Sequence, residues 1–138
     1  MPNFAALNNG KMLQFIKQYK ITCALLLIIW VLCFIPLPET PLSGVRLIDK
    51  WTHIVMYLAL GLSVCHECSA TRHKAGGMWL LVCAWLLPTL MGGLIELLQA
   101  YCTGGRRSGD WLDFAADALG TTFALPIGIL WARFRAKP

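Results

Sequence analysis

The sequence predicts an all-α fold, a small polytopic membrane bundle of about four transmembrane helices with both termini cytoplasmic. Three observations lead there: an apolar composition, four apolar stretches punctuated by short polar segments, and a lopsided distribution of basic residues. The chain is 57% hydrophobic and 14% charged over 138 residues, with a mean hydropathy of +0.61, far more apolar than an ordinary soluble domain. At this length about four spans with brief loops fill the chain. Residues 1–138 are therefore expected to form a single transmembrane domain without a separate soluble catalytic module. There is no internal repeat and no low-complexity tract.

In chain order, residues 1–20 read as a cytoplasmic lead and residues 21–37 as the first span, preceded by Lys11, Lys17 and Lys20 and closed by Pro36, Pro38 and Pro41. A basic segment before an apolar core also describes a signal peptide, but no A-x-A-like cleavage site follows, so a retained anchor is expected. Apolar runs place the second span at about 49–65, the third at about 78–99 and the fourth at about 110–131. With the N-terminus inside, Lys11, Lys17, Lys20, Arg72, Lys74, Arg133, Arg135 and Lys137 are cytoplasmic, whereas only Arg46, Lys50, Arg106 and Arg107 are outside. The positive-inside rule favours that orientation.

The same distribution explains the net charge of +5. Basic residues that flank apolar spans set topology, whereas a nucleic-acid partner calls for a basic stripe on a soluble face. Of the seven acidic residues only Glu67 is then cytoplasmic; Glu39, Asp49, Glu96, Asp110, Asp113 and Asp117 lie at the outer end. Of the six cysteines, Cys23, Cys33 and Cys83 fall inside apolar spans, where they act as small hydrophobes.

Asp113 and Asp117 stand one helical turn apart at the head of an apolar stretch, residues 118–132, that spans roughly 22 Å against a hydrocarbon core of about 30 Å. Both carboxylates are thus drawn into the membrane's outer reaches. A carboxylate at membrane depth costs several kcal/mol, with estimates starting at about 2.5, so it faces a protein interior and takes a partner. Each of the last three spans carries polar residues on a stripe of small ones, the pattern that lets membrane helices approach closely. The stripes are Asp49, His53, Tyr57 and Gly61; then Thr89, Gly92, Gly93, Glu96 and Gln99; then Asp110, Asp113, Asp117, Gly120, Ala124 and Gly128. Glu96 lies about 29 Å of helix from Gly77, level with Asp49 and Asp113. One outward polar cluster from three helices is expected.

Asp49, Glu96, Asp110, Asp113 and Asp117 outnumber Lys50, Arg106 and Arg107 there by two charges. A protonated His53, a carboxyl that keeps its proton, or a bound cation resolves the surplus. The plainest alternative is an ion-pair network that only ties the helices together. His53, Glu96, Asp113 and Asp117 suit zinc or manganese chemically, but their spacing matches no metal signature, so neither metal nor cofactor is expected. Arg106 and Arg107, after Gly104 and Gly105, are placed to hold an anionic headgroup or phosphate, or else to snorkel toward water.

Asp110, following Gly109, is positioned to cap the fourth helix. Cys65-His66-Glu67-Cys68 has CxxC spacing without a second CxxC, and reads as a helix end. Pro88 with Gly92 and Gly93, and Pro126 with Gly128, are expected to weaken the third and fourth helices locally.

The order Asp49-Lys50-x-x-His53, Glu96-x-x-Gln99, Arg106 or Arg107, then Asp113-x-x-x-Asp117-x-x-Gly120 resembles the VanZ-like family of small bacterial membrane proteins, from about Ile48 to Gly128. The family usually has Asn where this chain has Asp117, which adds a charge, and often Gly where it has Ala124. The resemblance implies a multi-pass protein of the bacterial cytoplasmic (inner) membrane acting at the cell envelope. The family takes its name from a protein of glycopeptide-resistance clusters associated with raised tolerance to teicoplanin, which implies a role of the antibiotic-resistance type.

The partners expected are membrane lipids and a lipid-linked cell-wall precursor or glycopeptide, held by Asp49, Lys50, His53, Glu96, Gln99, Arg106, Arg107, Asp110, Asp113 and Asp117. The rival expectation is an intramembrane enzyme acting on a lipid-linked substrate, with His53, Glu96, Asp113 or Asp117 as general acid or base. A proton-coupled transporter is a further alternative, since membrane carboxylates mark proton relays.

Overall fold

The computed structural model describes residues 4–36, 47–70 and 76–135, with side chains from residue 9 to 134. Pro38, Glu39, Pro41, Arg46, Arg72, Lys74 and Lys137, given places from the sequence, lie outside the described residues. Every regular element among the described residues is helical: α1 (Phe4–Gln18), α2 (Lys20–Phe34), α3 (Ile48–Ala70), α4 (Gly77–Leu81), a π-helical turn (Val82–Leu86), α5 (Leu87–Cys102) and α6 (Trp111–Arg135).

Among the described residues three helices are long and apolar enough to cross a membrane: α3, the run Gly77–Cys102 made of α4, the π turn and α5, and α6 over Trp111–Phe134. Counting the α1–α2 pair as one span brings the number to four, although the pair bends by 91°. Beyond that bend α1 leaves Met12, Leu13, Phe15 and Ile16 exposed, the apolar side suited to a helix lying along a membrane surface. Leu27, Leu90, Leu97, Phe123 and Leu130 are likewise exposed large apolar residues on the long helices. In lipid such residues are at no disadvantage, because acyl chains are as apolar as they are.

Helix ends differ from the hydropathy boundaries for identifiable reasons. α2 stops at Phe34 rather than at residue 37, with Ile35 extended at φ −71° and ψ 134°, because a residue before proline, here Pro36, is pushed out of the helical region. α3 continues through Cys65-His66-Glu67-Cys68 to Ala70, since Glu67 is bonded to another helix. Its carboxylate, buried at 5% exposure, accepts the Ile21 N–H at 2.8 Å and the Thr22 N–H at 3.1 Å. These are among the N–H groups that have no partner within their own helix at the start of α2, where the helix dipole also favours negative charge.

The two prolines behave differently. Ahead of Pro88 the helix widens into the π turn, because proline offers no N–H and its ring presses on the carbonyl four residues back. Pro126 sits inside α6, which runs unbroken, contrary to the local weakening expected there. Irregularity in a membrane helix is absorbed by its neighbours.

α3 and α6 form the tightest pair. A methyl at Gly120 would stand 2.5 Å from the Ile54 carbonyl oxygen, and one at Gly61 would stand 2.5 Å from the Ala124 Cβ. The predicted small-residue stripes are therefore the surface on which these helices meet. Ile29, Cys33, Tyr57, Leu60 and Ile95 fill one part of the core, and Val64, Cys65, Cys68 and Ala84 another. Polar stitches cross between helices: Thr89 with Thr121 at 3.0 Å, Trp85 Nε1 to Thr122 at 2.9 Å and Thr22 with Ser63 at 3.0 Å.

Candidate functional site

The end of the bundle opposite Glu67 collects the polar residues of α3, α5 and α6. Helical spacing places His53 and Tyr57 on one face of α3, Glu96 and Gln99 on one face of α5, and Asp113 and Asp117 on one face of α6, and all six are at least nine-tenths buried. Asp49 shares the α3 stripe but its side chain is 62% exposed. It lies in the first turn of α3, at the rim rather than within the bundle.

Lys50 is the hub of the outer part. Its Nζ lies 2.5 Å from Asp113 Oδ1, 2.6 Å from Asp110 Oδ2 and 3.6 Å from Asp49 Oδ2. Asp110 also accepts the Leu112 N–H at 2.9 Å, which makes it the cap of α6 expected from sequence. The Lys50 hydrogen bond, helped by that of Leu112, holds the Asp110 carboxyl below its ordinary value of 3.8.

Deeper in, His53 Nδ1 meets Asp117 Oδ1 at 2.8 Å. An ionised carboxylate only accepts, so with Asp117 charged the ring donates through Nδ1 and leaves Nε2 for chemistry. Gly92 makes room for this pair, since a methyl there would stand 2.5 Å from Asp117 Oδ2. Glu96 Oε2 accepts the Asp110 N–H at 2.7 Å, while Glu96 Oε1 is buried without a hydrogen-bond partner among the described residues. The Tyr57 hydroxyl, equally buried, lies close to Asp117.

The two arginines part company. Arg107 donates to the Leu32 and Ile35 carbonyls at 3.2 and 3.0 Å, closing the end of α2, whereas Arg106 Nε reaches only the Thr103 carbonyl at 3.1 Å. Neither forms an ion pair with a carboxylate among the described residues. Gly104 and Gly105, at φ +60° and +81°, make the turn that carries them. Thr103 secures it, its hydroxyl accepting the Arg107 N–H at 3.1 Å. Gln99 Nε2 donates to the Cys33 carbonyl at 2.7 Å and ties α5 to α2.

Above the His53–Asp117 pair opens a polar cavity of about 210 Å³, lined by Asp49, Lys50, His53, Gln99, Arg106, Arg107, Ser108, Asp110 and Asp113. Eight of the ten residues predicted from sequence line it; Glu96 and Asp117 lie beneath. Tyr57 and Gly92, placed on the stripes from sequence but not among the predicted binding residues, also belong to the site, as does Thr103, which no sequence signal marked. His53, Glu96 and Asp117 bring donor atoms within 4.8 Å of one another, as do Asp49, His53 and Asp113.

The fold and this cluster define a helical bundle, among the described residues, with three helices able to cross a membrane and a buried carboxylate–histidine cluster at one end. Comparison with family models, with curated proteins and with solved structures found no match.

Proposed function

We propose that the chain is a four-span, VanZ-like protein of the bacterial cytoplasmic membrane, with cytoplasmic termini and an outward pocket that binds the anionic headgroup of a lipid or lipid-linked cell-wall precursor. The observation that carries this is the cavity of about 210 Å³ bounded almost wholly by polar and charged side chains. It is smaller than the roughly 300–1,000 Å³ of sites that engulf a whole drug-sized ligand. That size suits a headgroup whose acyl chains stay in the bilayer. Exposed Arg106, which among the described residues holds only one backbone carbonyl, is the group free to turn toward a phosphate. A lipophilic glycopeptide, presenting its own anionic groups while its tail is in the membrane, fits the same chemistry and gives the envelope-tolerance role.

The test is native mass spectrometry of the protein released from mild detergent, with and without Arg106→Ala. A co-purifying phosphate-bearing lipid that falls at least about tenfold in occupancy in the variant supports the reading. Equal retention by both proteins, or no retained lipid in either, contradicts it.

The His53–Asp117 contact favours a second reading, an intramembrane enzyme. A ring held at Nδ1 by a carboxylate, on a histidine that also lines the cavity, is the arrangement of an oriented general base. Turnover of a lipid-linked phosphate ester by purified protein, lost in His53→Gln, would establish it over simple binding.

A further inference from the structure

We infer that His53, Glu96 and Asp117 form a binding site for a single divalent transition-metal ion of the zinc or manganese type. This goes beyond headgroup binding and stands independently of it. The three residues come from α3, α5 and α6, are 8%, 5% and 1% exposed, and bring one donor atom each within 4.8 Å of the others. Around a zinc-sized ion, donors at about 2.0–2.2 Å sit roughly 3 to 4.4 Å apart, and the upper limit of the separations here lies only a few tenths of an ångström beyond that range.

A group of acids alone is no site, and here a second observation points inward. Glu96 Oε1 is buried without a hydrogen-bond partner among the described residues. Its sister Oε2 is fixed by the Asp110 N–H at 2.7 Å, the kind of outer contact that orients a ligating carboxylate. An unpaired buried carboxylate oxygen is costly, and a cation removes that cost.

The neighbouring trio of Asp49, His53 and Asp113 has a different fate, because Lys50 already supplies its positive charge, 2.5 Å from Asp113 and 3.6 Å from Asp49. For Glu96 and Asp117 the only cationic partner among the described residues is His53. Arg106 and Arg107 are turned to backbone carbonyls. One imidazole and two carboxylates suit zinc or manganese over calcium or magnesium, which prefer all-oxygen shells. His53 also lines the polar cavity, which gives the ion its route of entry and leaves an open coordination position facing a bound molecule.

The rival is a proton shared within the cluster, with Glu96 neutral. The full chain, stripped with a chelator in mild detergent and exchanged into metal-free buffer, is titrated with ZnCl2 or MnCl2 while thermal stability and bound metal are measured. The inference predicts one metal per chain and a raised Tm, with affinity weakened more than about tenfold in Glu96→Gln and in Asp117→Asn and kept in Asp49→Asn. Mn2+ bound to the unmutated protein should show nitrogen hyperfine coupling from one imidazole, a readout independent of how any variant folds.

Absence of stoichiometric metal with either salt overturns the site. So does metal bound without nitrogen coupling, or binding lost in Asp49→Asn and retained in Glu96→Gln. Because headgroup retention is read by lipid mass and this site by metal content, the failure of one is distinguishable from the failure of the other.

Discussion

The two ends of the bundle each bury a glutamate to the same degree, Glu67 and Glu96 both at 5% exposure, yet they are satisfied differently. Both oxygens of Glu67 accept backbone N–H groups of α2. Glu96 has one oxygen so engaged and the other without a hydrogen bond among the described residues. Burial alone therefore does not mark function. A fully bonded buried acid fixes architecture, whereas a half-bonded one beside a histidine, a second acid and a polar cavity is poised for a ligand.

The largest expected effect comes from breaking the satisfied end. Glu67→Ala strands two partly buried N–H donors at the bend between α1 and α2 and should cost about 2–4 kcal/mol, read as a lowered midpoint in detergent-mixture unfolding, with lipid and metal binding at the other end intact in the folded fraction. Gly92→Ala strikes the other end. Its methyl meets Asp117 Oδ2 and should cost about 1–3 kcal/mol by overpacking, while displacing Asp117 from His53, so metal affinity falls together with stability.

A smaller effect separates the arginines. Arg107→Ala should lose about 1 kcal/mol because the carbonyls ending α2 lose their donor, and Arg106→Ala should leave stability within about 0.5 kcal/mol as an exposed substitution. Parallel thermal melts check this, and equal losses would erase the division between structural and binding arginines.

The smallest effect is acid sensitivity of the rim. Since the folded Asp110 value lies below 3.8, the contribution of its pairing is fully present above that pH and is lost as pH falls through the depressed value. The chain should show a shallow decline in stability below pH 3.8 that is absent in Asp110→Asn, followed by melts across an acid series.

Much of this was legible in the sequence. Apolar runs located the three helices able to cross a membrane because hydrophobic length is dictated by bilayer thickness, and helical spacing put His53, Glu96, Asp113 and Asp117 on inward stripes because small residues mark contact faces. Spacing within one helix cannot say where that helix's end lies relative to its neighbours. Asp49 shares the His53 stripe and still ends at the exposed rim. Arg107 looked like a headgroup cation, but its partners are carbonyls 72 and 75 residues away, a meeting set by where α2 stops at Pro36. Glu67 read as a charge at a helix end, since nothing local foretells that the start of α2 lies against it. The unpaired Glu96 oxygen is likewise a property of three helices together and of no single segment.

The most direct test sets the two glutamates side by side by equilibrium unfolding and metal titration of Glu67→Gln and Glu96→Gln. Gln at 67 turns an amide N–H2 toward a backbone donor and should cost about 1–3 kcal/mol, whereas Gln at 96 keeps an acceptor for Asp110 and should cost under about 1 kcal/mol while losing the metal. If Glu96→Gln destabilises the protein as much as Glu67→Gln and binding at the cluster persists, the cluster is a structural brace and the account is wrong.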